Sequence, residues 1–271
     1  MRTGQHKVGA MAATAAIVLS LGCAKVPITG RKQLNLMPES EMMSMSLAEY
    51  RGFLDSIPPL PTNDARVEMV RRVGQRIAVA ATTFLGQNNA ADRVADFKWE
   101  FNVVDQPVVN AWCMPGGKVV VYTGLLPVTK DEASLALVMG HEISHAIARH
   151  GNERMSQAMA VQGAGMTLQV LAAEKPSMAS DLFLQSFGIG SQLGLLAYSR
   201  KQESEADKMG LVFMAMAGYD PRIAPDFWER MSAQAGGAAP PELLSTHPSD
   251  ARRIADLKAY MPEAMKYYKP R

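Results

Sequence analysis

Two histidines four residues apart, with a glutamate directly after the first, are the residues of this chain best suited to chemistry: His141-Glu142-Ile143-Ser144-His145. On an α-helix a step of four turns through about 400°, so His141 and His145 point the same way, one turn apart. Two imidazoles so placed can grip one divalent cation. Glu142, on the adjacent flank, can take a proton from a water that the cation acidifies. The pattern predicts a zinc hydrolase with one Zn2+ per chain, His141 and His145 as ligands and Glu142 as general base. The neighbours Val138, Met139, Ile143, Ala146 and Ile147 are apolar, which predicts a helix buried on most sides. A buried glutamate and two buried histidines are costly unless something pairs them, and a cation would do so.

Catalytic zinc commonly keeps three protein ligands and one open position. The third is sought in 199–210, a second helical stretch with two candidate carboxylates. Glu203, Ala206, Asp207 and Gly210 fall at i, i+3, i+4 and i+7, a polar stripe whose small residues permit close helix approach. Glu205 lies about 200° from Glu203, where Lys201 and Lys208 can pair with it in water. Glu203 is therefore assigned to the metal and Glu205 to a solvated face. Asp207 is placed to accept the free ring N–H of a ligating histidine.

Glu-x-x-Ala-Asp downstream of His-Glu-x-x-His resembles the gluzincin metallopeptidases of the HtpX, BepA and CAAX-prenyl-protease kind, their bacterial periplasmic lipoprotein members included. Three further segments are similar to that family: Asn110 to Leu126 upstream of the zinc helix, Thr246-His247-Pro248-Ser249 followed by Arg253-Ile254, and Val26 to Leu36. The resemblance implies a periplasmic zinc endopeptidase acting on unfolded or misassembled proteins. It implies that His247 works at the metal, either steadying an oxyanion or filling the open position at rest, with Arg253 in support. A His-Pro turn with no catalytic work is the other reading of that element. The resemblance also implies a strand beside the cleft that pairs with extended substrate, which would put Asn110, Gly117, Val119 and Val121 in contact with it.

The chain has 271 residues, 48% apolar and 20% charged, with a net charge of +2. That suits a globular domain and, with no basic cluster, gives no footprint for nucleic acid. Arg2 and Lys7 precede a short apolar run from Val8 to Leu21 that ends at Ser20-Leu21-Gly22-Cys23. This reads as a signal segment over 1–22 and lipidation at Cys23, a membrane anchor. The box is imperfect, with Ser20 where Leu is usual, and simple cleavage and secretion is the rival. Ala24 after the cysteine favours the outer membrane, facing the periplasm. If Cys23 carries lipid, Cys113 has no disulfide partner, and it is expected to be a small buried residue near the cleft, with a reactive thiol as the other reading.

Positioning this site requires an α+β, mostly helical domain over 39–262, between a linker at 23–38 and a tail at 263–271. Helices are predicted at 39–55 and 64–86, strands at 98–104, 108–109 and 118–122, and a turn at Pro115-Gly116-Gly117. The zinc helix is predicted over 131–150, with Thr129 and Glu132 as a capping box and Gly151 as its stop. His150, about 180° from His141, is expected to point away from the metal. Apolar helices are expected at 153–173 and 177–198, forming either core or a flap, neither uninterrupted enough to span a membrane. Helices at about 196–216, 221–234 and 249–261 follow. Two rival functions remain open: a chaperone-like outer-membrane assembly factor with a latent zinc site, and a zinc hydrolase of small amides. The oligomeric state is not legible.

Overall fold

The computed structural model describes residues 23–162, 173, 176–189, 198–234, 242–247 and 251–270. The predicted signal segment and much of the two apolar helices between the site motifs lie outside those residues. The fold is α+β and mostly helical, with a three-stranded sheet and a separate two-stranded hairpin. The hairpin, β1 (Cys23–Lys25) and β2 (Lys32–Leu34), lies in the stretch expected to be a linker. It is extended as expected, but it packs on the domain: Gln33 is buried and Arg31 reaches two buried glutamates.

Helices α1 (Glu39–Ser56) and α2 (Ala65–Gln87) follow, close to their predicted bounds. Asp64 caps α2 by accepting from Arg66 N–H, and Val67, Val70, Val73 and Ile77 form its buried stripe. The sheet runs β3 (Glu100–Val104), β5 (Lys118–Tyr122), β4 (Ala111–Met114), with β3 parallel and β4 antiparallel to β5. The strand predicted at 108–109 begins instead at Ala111, after Asn110 Oδ1 accepts its neighbour's N–H. Alternation divides the sheet between two cores. Phe101, Val103, Cys113, Val119 and Val121 join α2 and the zinc helix, while Val104, Trp112, Met114, Val120 and Tyr122 join α1.

The zinc helix is α3 (Glu132–Ile147). Its cap is Asp131, whose carboxylate accepts Ser134 N–H; the chain breaks at Lys130 (φ 64°), so Thr129 belongs to the preceding single turn. The stop also differs from expectation. Arg149 takes the left-handed conformation (φ 60°), and a new helix, α4 (His150–Gln162), starts at once. Gly151 has a packing role instead, since a Cβ there would meet the Phe187 ring at 2.2 Å. Helix α5 (Pro176–Ser186) packs on α4 and α1.

Helix α6 (Arg200–Met216), opened by a Ser199–Gln202 capping box, crosses α3 with backbones touching. A Cβ on Gly210 would lie 3.0 Å from His141 N and 3.1 Å from Gly140 C. The small-residue stripe predicted on α6 thus serves close approach. Helices α7 (Ala224–Gln234), α8 (Glu242–Thr246) and α9 (Ala251–Ala264) complete the domain. Gly210→Val is expected to wedge the crossing open and cost about 1–3 kcal/mol. A urea midpoint lowered at unchanged slope would show it, and an unchanged midpoint would mean the helices slide apart freely. Among the described residues no helix is long and apolar enough to cross a membrane.

Candidate metal centre

The crossing at Gly140 and Gly210 brings both histidines of α3 against Glu203 in the first turn of α6. His141 Nε2 lies 3.0 Å from His145 Nε2, and Glu203 oxygens lie 3.5 and 3.3 Å from them. His247, directly after α8, completes the cluster: its Nδ1 is 3.1 Å from His141 Nε2 and 2.9 Å from Glu203 Oε1. One ligand atom from each of the four lies within 4.8 Å of all the others, and every residue is buried. The predicted set of His141, His145 and Glu203 is brought together, with His247 beside it.

Hydrogen bonds on the far side of each ring fix what the near side presents. His141 Nδ1 lies 3.0 Å from Asp207 Oδ1, and a carboxylate only accepts, so Nδ1 carries the hydrogen. Asp207 is where the helix spacing predicted it. Arg253 grips it with two hydrogen bonds of 2.8 Å and also touches Glu203 Oε2 at 3.1 Å and the His247 carbonyl at 3.2 Å. The guanidinium stacks on Trp228, 3.7 Å from the ring centroid. His145 Nδ1 contacts His150 Nδ1 at 2.9 Å, and His150 Nε2 donates to Glu205 at 3.0 Å. Burial lowers the His150 pKa, so the neutral ring accepts at Nδ1 and His145 is the donor.

Both Nε2 atoms therefore face one another and a carboxylate. Such a pocket attracts positive charge. Against the burial that opposes it, Glu203 and Asp207 raise His141 to about 9. Against the same effect, His247, Arg253 and His141 hold Glu203 well below the usual carboxylate range. A bound cation would displace the His141 proton, and two imidazoles, a carboxylate and a further imidazole are then a donor set that fits Zn2+.

Glu142 stands beside this cluster. Burial pushes its carboxyl up, and its Oε1 accepts no hydrogen bond, lying 3.5 Å from His247 Nε2. A raised carboxylate with one oxygen free of hydrogen bonds is suited to taking up a proton. The tilted Tyr198 ring also packs on the cluster, 3.9 Å from His145 between centroids, with the Arg154 guanidinium 4.1 Å from the Tyr198 centroid. Nothing in the spacing around Tyr198 singled it out. A cavity of about 390 Å³ reaches Glu203 and Asp207 from the side of α9 and the hairpin, but neither Glu142 nor the histidines line it.

Three expectations are corrected here. Glu205 is not solvated: it is 4% exposed and binds His150, Thr29 and Arg31. Against burial, His150 and Arg31 hold its carboxyl down at about 2. His150 does not point away. The turn at Arg149 interrupts the helix, so the 100° count from His141 no longer applies, and the ring comes back under His145. The substrate-contacting set is also redrawn by topology. Val119 and Val121 lie in the central strand, paired on both sides and wholly buried, so their backbone has no free edge. Gly117 (φ 79°) makes a turn in which a Cβ would sit 2.8 Å from Trp99. Asn110 is buried and shapes the start of β4.

Cys113 behaves as expected, buried with its thiol pushed well up by burial. In a Cys23→Ser chain, iodoacetamide is expected to leave native protein unmodified and to add one label on unfolding. Rapid native labelling would show that β4 opens.

The model of Peptidase family M48 matches residues 65–261. Mitochondrial metalloendopeptidase OMA1 of Schizosaccharomyces pombe is 35% identical over 88% of this chain and 66% of its own length. The human mitochondrial OMA1 metalloendopeptidase is 32% identical over 89% of this chain and 46% of its length. The beta-barrel assembly-enhancing protease of Escherichia coli is 32% identical over 83% and 44%. This chain thus corresponds to 44 to 66% of the length of these relatives. With the family match running through both metal-site helices and on to α9, the chain belongs to peptidase family M48.

Proposed function

We propose that this protein is a zinc-dependent endopeptidase that cuts unfolded or misassembled proteins of the bacterial envelope, held at the outer membrane, facing the periplasm, by lipid on Cys23. The convergence of His141, His145 and Glu203 beside Glu142, whose Oε1 accepts no hydrogen bond, carries the reading. Relatives named as metalloendopeptidases and as a beta-barrel assembly-enhancing protease support it, the latter pointing to the envelope.

His141, His145 and Glu203 would hold the ion, which when bound would acidify a water and polarise the scissile carbonyl. Glu142 accepts the proton and returns it to the leaving nitrogen. Asp207 keeps the His141 hydrogen on Nδ1, and Arg253 holds Asp207 in place. Extended substrate pairs with an edge, and β4 is the strand of this sheet that is both at an edge and packed on α3.

The buried His247 ring in the ligand cluster favours a latent resting state, in which it would add a further donor to the ion. This geometry also gives weight to the assembly-factor reading, in which cleavage is rare. Zinc content and casein cleavage of the purified chain and of His247→Ala test both. One zinc per chain in each, with faster cleavage by the variant, is the expected result. Zinc without cleavage in either leaves the assembly factor, and no zinc removes the reading.

A further inference from the structure

Each metal-site histidine of α3 has a partner behind it, and the two partners differ. His141 donates directly to Asp207, as the helix spacing predicts. His145 has no carboxylate of its own: its Nδ1 meets a second histidine, His150, at 2.9 Å, and the carboxylate comes one step later, at Glu205. Glu205 is held from outside the M48-matched region. Arg31 donates to it through Nε at 2.7 Å and Nη2 at 2.9 Å, and Thr29 Oγ1 donates at 2.9 Å. The same guanidinium holds Glu153 of α4 through Nη1 at 2.6 Å and Nη2 at 2.7 Å. Glu153 also accepts from Gln202 of α6 at 2.9 Å. His150, Glu205 and Glu153 are all buried, while Arg31 and Thr29 on the hairpin reach solvent.

From this arrangement we propose that His150, Glu205 and Arg31 form a positioning relay that sets the tautomer of His145, making the N-terminal hairpin part of the metal site. The inference rests on the metal reading given above. Its logic is the polarity of hydrogen bonds. A carboxylate accepts only, so His150 presents N–H to Glu205, and the neutral ring then presents its lone pair to His145. His145 then keeps its hydrogen on Nδ1 and its lone pair on Nε2, toward the metal. If the relay is lost, the neutral His145 ring is free to carry its hydrogen on Nε2, where it cannot ligate. The fork of Arg31 sets the direction of the relay by clamping both Glu205 oxygens, which a single ammonium cannot match.

The test measures zinc affinity by competition with a chromophoric chelator, on the full chain. His150→Leu removes both hydrogen bonds. His150→Gln keeps an amide N–H for Glu205 and a carbonyl oxygen for His145, the same polarity as the neutral imidazole. Loss of about 10–100-fold in zinc affinity is expected for the leucine variant. The glutamine variant is expected to recover most of it. Arg31→Met, at the solvent-reached end, is expected to weaken zinc in the same direction, with Arg31→Lys only partly restoring it. Metal-free thermal unfolding checks that each variant is folded, and should the leucine variant not fold, the Arg31 pair decides. Folded His150→Leu or Arg31→Met chains with native zinc affinity would overturn the relay and leave the metal reading standing. Equal losses in the leucine and glutamine variants would reduce His150 to packing and also overturn it. An unsubstituted chain that binds no zinc would take down the metal reading and the relay with it.

Discussion

Glu142→Gln is expected to lower kcat/KM for an unfolded protein substrate by roughly 10²–10⁴-fold while zinc stays bound. The amide has nearly the shape of the carboxylate but cannot accept the proton. Its effect on the fold has the opposite sign. Glu142 is buried, its carboxyl is pushed up by that burial, and Oε1 receives no hydrogen bond. Removing such a charge relieves desolvation, which outweighs its long 3.5 Å contact with His247, so stability is expected to hold or rise. Retained stability and zinc with lost cleavage separate a chemical role from a structural one. Where His247 keeps the basal rate low, the same comparison is made in a His247→Ala background. Cleavage within tenfold of the unsubstituted rate would remove Glu142 as the base.

What the sequence made legible follows one rule. Wherever the functional geometry lies within a single unbroken helix, residue spacing suffices. His141 and His145 share a face of α3, and Glu203, Asp207 and Gly210 share a face of α6. The counting failed where the helix did. His150 was placed by extending the periodicity of α3 through Arg149, where the backbone turns left-handed and α4 begins. Glu205 failed for a different cause. Its position on α6 was read correctly as away from Glu203, but that face is covered by a hairpin 174 residues upstream, and no local pattern announces a contact at such a separation. The strands show the same limit. Residues 118–122 read as a strand and are one, yet their place in the middle of the sheet is a matter of topology. The same alternating pattern fits an edge strand that could receive substrate and a central strand that cannot.

Arg253→Met is expected to cost the metal-free protein about 3–5 kcal/mol, the range for removing one partner of a buried ion pair. The side chain is 6% exposed and ties two carboxylates of α6 to the segment carrying His247. Methionine fills much of the volume against Trp228 but leaves the Asp207 and Glu203 charges facing each other across one helical turn. The loss is therefore electrostatic rather than a cavity effect, and that origin can be checked. Adding Asp207→Asn to Arg253→Met removes one of the stranded charges and is expected to return part of the stability, a coupling that independent sites would not show. Arg253→Lys restores charge without the two-pronged grip on Asp207, so it is expected to fall between. Zinc should partly rescue the single variant by neutralising Glu203 from the other side, raising its urea midpoint by more than it raises that of the unsubstituted chain. A midpoint for Arg253→Met within about 1 kcal/mol of the unsubstituted protein, converted with its measured slope, would show that the two carboxylates do not depend on this guanidinium.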